Sequence, residues 1–177
     1  MTNHAAIAAL AALAAAPLIF VHRDIWFFAV AAGLTGAIGA VLAIIDFRER
    51  RLPNKITFPL AVGSTIAVIA LTFIHPETGS LGRSLITGVV TFALMLVLAL
   101  VAGLGMGDVK YSYSIGLFLG WLGQPYISLG LLVAVLGAGL VAVVQAVRLR
   151  SFDGDLAFGP YLALGLWAAL LSAGIAS

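Results

Sequence analysis

Cysteine is absent from this chain, and charge is scarce. Without a thiol there is no disulfide framework, no cysteine nucleophile and no thiolate metal site. Asp, Glu, Lys and Arg together make up 9% of the residues, against about 25% in soluble globular domains. The formal net charge is only +2, so the basic surface that nucleic acid requires is missing and no nucleic-acid partner is expected. The three histidines, His4, His22 and His75, lie at chain or helix ends, share no common face, and are read as interfacial polar residues. What fills the chain is apolar. Hydrophobic residues reach 63%, where globular proteins hold roughly 45–50%. A soluble fold of 177 residues cannot hide that much apolar surface; a bilayer can.

A membrane-spanning helix needs about 20 apolar residues, with a range of roughly 17–25. Seven candidate spans follow: 5–21, 25–45, 56–74, 84–104, 109–122, 126–147 and 156–176. The fold class predicted is all-α, a polytopic transmembrane bundle of about seven helices forming one integral membrane domain over 1–177. Residues 1–24 would add an N-terminal helix to a core of 25–177. The first span has no Lys or Arg before it, which favours a retained helix over a cleaved leader. Orientation follows from the basic residues of the short loops. Arg48, Arg50, Arg51, Lys55, Lys110, Arg148 and Arg150 fall on one side, and only Arg23 and Arg83 on the other. The richer side should be cytoplasmic, with the N-terminus inside and the C-terminus outside.

Acids close to hydrocarbon are costly and are functional candidates by default. Asp46 follows the apolar run of the second span, and Asp108 follows the fourth, in Gly105-Met106-Gly107-Asp108. Both spans run outside to inside, so both acids should meet at the cytoplasmic face. Two carboxylates brought together tend to share a proton. One can then activate water while the other polarises a carbonyl and protonates a leaving amine. That chemistry requires no metal and no cofactor. The bland alternative is that each Asp caps a helix or pairs with a nearby arginine; for Asp46 alone, beside Arg48 and Arg50, that reading is favoured. Gly105 and Gly107 would permit backbone that residues with a Cβ resist, in a Gly-rich break lining a wet cavity. Alone this motif is weak in a chain with 20 glycines. Its alignment with Asp46 on one face gives it weight. A small transporter or proton relay could use the same two aspartates, and is the alternative kept from another class.

Asp46-Phe47-Arg48-Glu49-Arg50-Arg51-Leu52-Pro53-Asn54 resembles the first aspartate motif of the type IV prepilin peptidases, an Asp ending a helix, then a basic loop and a hydrophobic-Pro-Asn step. Gly105-Met106-Gly107-Asp108-Val109-Lys110 resembles their second motif, Gly-x-Gly-Asp-x-Lys. Phe158-Gly159-Pro160 is similar to the segment opening their last helix, with Ala157 where proline is common. Archaeal preflagellin peptidases share the pattern, and presenilin-like proteases share Gly-x-Gly-Asp. The resemblance spans about residues 25–176, in family order. It implies a membrane-embedded aspartyl endopeptidase of the cytoplasmic (inner) membrane with Asp46 and Asp108 as catalytic pair. The implied motif residues are Pro53, Asn54, Gly105, Gly107, Lys110, Gly159 and Pro160. Lys110 would either bias a carboxylate towards ionisation or snorkel to the headgroups. The implied partner is a pilin-like precursor with a basic leader and an apolar helix, beside the lipid bilayer itself. Longer members also N-methylate the product and carry a cysteine-rich insert. The absence of cysteine makes this chain resemble the short, peptidase-only members, such as those serving tight-adherence pili.

Three further features are assigned here. Asp153 and Asp155 are read as a solvated helix start rather than a divalent-ion site. Trp26, Trp121 and Trp167 are read as interface anchors or packing residues. Gly137 and Gly139 are expected to admit close helix packing.

Overall fold

The computed structural model describes residues 26–49, 54–102, 105–149 and 158–176. All regular structure among them is helical: α1 (Trp26–Glu49), α2 (Asn54–Ile74), α3 (Leu81–Ala102), α4 (Met106–Leu122), α5 (Gln124–Leu149) and α6 (Gly159–Ala176). Six of the seven predicted spans thus appear as helices. The predicted span 5–21 and the 1–24 extension lie outside the described residues.

Among the described residues, three stretches are long and apolar enough to cross a membrane: Ile56–Ile74 in α2, Leu81–Val101 in α3 and Gln124–Val144 in α5. Shorter apolar stretches lie within α1, Phe27–Gly39, and α6, Pro160–Ala173. The long helices turn large side chains outward: Phe58, Ile66 and Phe73 on α2, Leu94 and Val97 on α3, Leu136 and Leu140 on α5. Contiguous apolar surface on that scale would be rejected by water and is accepted by lipid. The chain is a membrane protein built as a polytopic helical bundle.

The core of the bundle is α4. Among the described helices it is the one that touches all five others. Twelve of its 17 residues are buried, among them Asp108, Ser112, Ser114 and Trp121. Protein surrounds α4, so it tolerates polar side chains that lipid would expel from its neighbours. At 1.5 Å per residue it is only about 26 Å long, shorter than the roughly 30 Å hydrocarbon core. Its ends therefore lie at or inside the membrane boundary.

The sequence places the start of this span at Val109, after a glycine-rich break. The helix begins earlier, at Met106, and Asp108 sits in its first turn. The cause is electrostatic: an acid is stabilised beside the unpaired N–H groups of a helix N-terminus, so the polar residues join the helix although hydropathy excludes them. Lys110 lies in the same helix rather than in a loop.

Small residues set the tightest contacts. A Cβ on Gly116 would press on the Thr87 carbonyl, the Thr91 hydroxyl and the Gly88 backbone, and one on Gly120 on Ser84 and Thr87. Gly116 and Gly120 are four apart, so one ridge of α4 is flat and α3 approaches it at backbone distance. At the far end of α4, Gly123 adopts φ 128°, a left-handed conformation that favours glycine. There the Arg83 guanidinium of α3 donates to the Gly120 carbonyl at 2.7 Å and the Trp121 carbonyl at 3.0 Å. Arg83 thus closes the carbonyl end of α4, which accounts for one of the two basic residues on the sparse side.

Helices α5 and α6 meet with Gly165 against the Gly130 carbonyl. Of the two glycines expected to pack closely, Gly137 faces the ring of Tyr161, but a Cβ on Gly139 would meet no described side chain or neighbouring helix within 4 Å. The period of a helix decides this, because residues 137 and 139 cannot share a face. Trp121 is a packing residue, stacked on Phe28 with ring centroids 4.6 Å apart, and Trp167 covers Gly36.

Candidate active site

The motif residues gather at one end of the bundle. Helix α1 ends at Glu49, so Asp46 stands in its last turn, and α2 begins at Asn54. Met106 opens α4, with Gly107 and Asp108 in its first turn, and Gly159 and Pro160 open α6. Proline is well tolerated there because the first helical N–H groups have no partner in the helix. The side chains of Asp46 and Asn54, and all of Pro53, lie outside the described residues. So do Asp153 and Asp155.

Asp108 is 1% exposed. Its Oδ2 accepts a hydrogen bond from the backbone N–H of Phe158 at 2.8 Å, a charge-assisted geometry when the carboxylate is ionised. Phe158 is itself buried, and its carbonyl accepts the first N–H groups of α6, from Tyr161 and Leu162. The first turn of α4 and the entry to α6 are therefore locked together at the acid. A second link ties α4 to α1. The buried Tyr111 hydroxyl donates to the Thr35 carbonyl at 3.3 Å, and its ring end lies so close to Gly39 that a Cβ there would overlap it. Tyr111 is three residues beyond Asp108, on the same face of α4. Thr35 and Gly39 lie on α1, the helix that ends with Asp46.

Lys110 takes another direction. Half-buried, it lines a cavity of about 320 Å³ between α2 and α3 with Thr57, Phe58, Phe92 and Tyr113. Gly105 departs from expectation. It has φ −61° and ψ 130°, a backbone open to any residue, and no atom lies within 4 Å of where a Cβ would stand. Neither its backbone angles nor the packing of the described residues requires glycine there.

No group of three or more His, Cys, Asp or Glu side chains is assembled for a metal ion among the described residues. The family model of the type IV leader peptidase family matches residues 34–147. This chain belongs to that family. Membership accords with the first and second motifs, Asp46–Asn54 and Gly105–Lys110, both inside the matched stretch. Two relatives carry the same description, "prepilin leader peptidase/N-methyltransferase". The protein of Dickeya chrysanthemi is 33% identical over 122 residues, 67% of this chain and 42% of its own length. That of Escherichia coli (strain K12) is 33% identical over 121 residues, 67% of this chain and 52% of its own. The chain thus spans about half the length of the curated relatives it matches. No solved structure matches.

One residue, Tyr111, and one role, that of Phe158 of the third motif, escape sequence reasoning here. Tyr111 carries a spacing signal, three residues after Asp108, that a search for carboxylates passes over. Phe158 acts through its main chain, which no side-chain pattern discloses.

Proposed function

We propose that this protein is a membrane-embedded aspartic endopeptidase that removes the leader of type IV pilin-like precursors at the cytoplasmic face of the inner membrane. Asp46 and Asp108 form its catalytic pair. The observation that carries this reading is the buried carboxylate of Asp108, held by the Phe158 N–H at the end of the bundle where α1 terminates. An acid buried in a membrane bundle is costly and is kept for a use, and a fixed N–H donor holds it in one orientation.

On this reading the three motifs act together, which the shared end of α1, α4 and α6 supports. In family terms, the first supplies Asp46, the second Asp108, and the third the amide that orients Asp108. A water between the two carboxylates would lose a proton to one while the other, protonated, polarises the scissile carbonyl. On collapse the same proton reaches the leaving amine. No metal or organic cofactor enters this cycle. Gly105, open on the side where a Cβ would stand, leaves room beside Asp108 for an extended backbone. We assign to this chain the peptidase half of its relatives' described activity.

The test is the purified chain in lipid vesicles with a pilin-like precursor. A new N-terminus appearing at one bond, undiminished by a metal chelator, supports the proposal. An intact precursor, together with aspartate-dependent cation uptake into the vesicles, would favour the transport reading instead.

A further inference from the structure

A groove of about 490 Å³ runs between α1 and α2 on the bilayer side of the bundle, with Phe118 of α4 as its floor. Its walls are thin. Ala31 and Thr35 face it from α1, and Gly63 and Ser64 from α2. No atom comes within 4 Å of a Cβ built on Gly63, so the space belongs to nothing in the described chain. Ser64 lines the groove, is 3% exposed, and its hydroxyl has no hydrogen-bond partner among the described residues. A buried hydroxyl without a partner costs free energy that a new acceptor recovers. Small residues that allow backbone approach, with a hydroxyl seeking a carbonyl, are what one membrane helix offers another.

We propose that this groove docks the apolar helix of the precursor, the segment that follows the scissile bond. The inference rests on the peptidase reading and specifies how its substrate lies. One end of the groove points towards the end of the bundle where α1 terminates and α2 begins, the proposed catalytic end. Ile38 and Ile56 close it at that end, and Ala31 and Ala67 at the other, because α1 and α2 run antiparallel. Ile38 precedes Asp46 by eight residues along the same helix, about 12 Å at 1.5 Å per residue. A helical substrate leaving the catalytic end would thus enter the groove on the order of 8 residues beyond the scissile bond and leave it near residue 15. Leu34, 53% exposed on the lip, would cover its flank.

The chain has no cysteine, so disulfide mapping is free of background. Gly63→Cys or Leu34→Cys, each in an Asp108→Asn background that retains the precursor uncleaved, would be oxidised in membranes. The partner is a pilin-like precursor carrying single cysteines from about 4 to 20 residues beyond the scissile bond. Cross-links are expected between about 8 and 15, recurring every third or fourth residue, and none to Leu136→Cys on α5. In parallel, Gly63→Leu in the otherwise unaltered chain should fill the groove, raising KM by about tenfold or more with kcat kept. Normal cleavage with no cross-link and an unchanged KM would overturn the groove and spare the peptidase reading. Disulfides between two copies of the chain in place of the precursor would overturn it as well. Cross-links to a precursor that the wild-type chain never shortens would uphold the groove and overturn the peptidase reading.

Discussion

The carboxylate of Asp108 and the main-chain N–H of Phe158 meet at 2.8 Å, fifty residues apart in sequence. The bond joins the first turn of α4 to the entry of α6 and fixes the acid in a buried place. A hydrogen bond to a charged group contributes roughly 1.5–3 kcal/mol, equivalent to about 10- to 100-fold in rate where orientation is what it provides.

Phe158→Pro removes the donor and nothing else from the polar network. Turnover of a fixed precursor should fall by about 10- to 100-fold. Phe158→Leu keeps the N–H and most of the apolar volume, so it should retain most of the turnover. Equal losses in the two variants, measured as kcat at matched protein levels, would mean that the ring and not the amide matters.

The Tyr111–Gly39 contact makes a reciprocal prediction. Gly39→Ala should force α1 and α4 apart, because its Cβ would overlap the Tyr111 hydroxyl. Overpacking of this kind costs about 1–3 kcal/mol. Tyr111→Phe removes that hydroxyl and loses one neutral hydrogen bond, roughly 1 kcal/mol. The double variant should recover part of what Gly39→Ala loses, a coupling that a double-mutant cycle on cleavage rate and thermal midpoint would register.

The carbonyl end of α4 depends on Arg83, whose guanidinium serves two carbonyls at once. Arg83→Ala should lower stability in detergent by on the order of 1–3 kcal/mol, and Arg83→Lys should restore only part, since an ammonium lacks the planar fork. Thermal unfolding of the three proteins in one detergent would decide it.

Gly105 and Gly116 should respond in opposite ways. Gly116→Ala sets a Cβ against the Thr87 carbonyl and should cost about 1–3 kcal/mol of stability. A Cβ at Gly105 meets no described atom within 4 Å, so the stability of Gly105→Ala should stay within roughly 0.5 kcal/mol of wild type. Any loss of cleavage in Gly105→Ala at unchanged stability would then report crowding of the substrate.

The membrane class and six of the helices were readable from apolar runs alone. Those signals are additive along the chain. What escaped them depends on neighbours. Residues 109–122 are the shortest of the seven predicted spans, yet the polar Ser112 and Ser114 within them are buried in the helix that its described neighbours surround. Gly130 and Gly139 look alike in sequence; only the crossing of α5 and α6 makes one a contact and leaves the other open. The Phe158 donor is a backbone group, and Tyr111 gains meaning only from the gap opposite it at Gly39.

The most direct test of the two-aspartate account is the mass of a co-expressed pilin-like precursor after membrane extraction, beside wild type, Asp46→Asn and Asp108→Asn. Both substitutions remove the charge and keep the shape, so each variant should insert and fold as wild type does. The account predicts a shortened precursor with wild type and an intact one with either variant. A precursor still shortened by one of them would show that its aspartate is structural, and the catalytic pair would not stand.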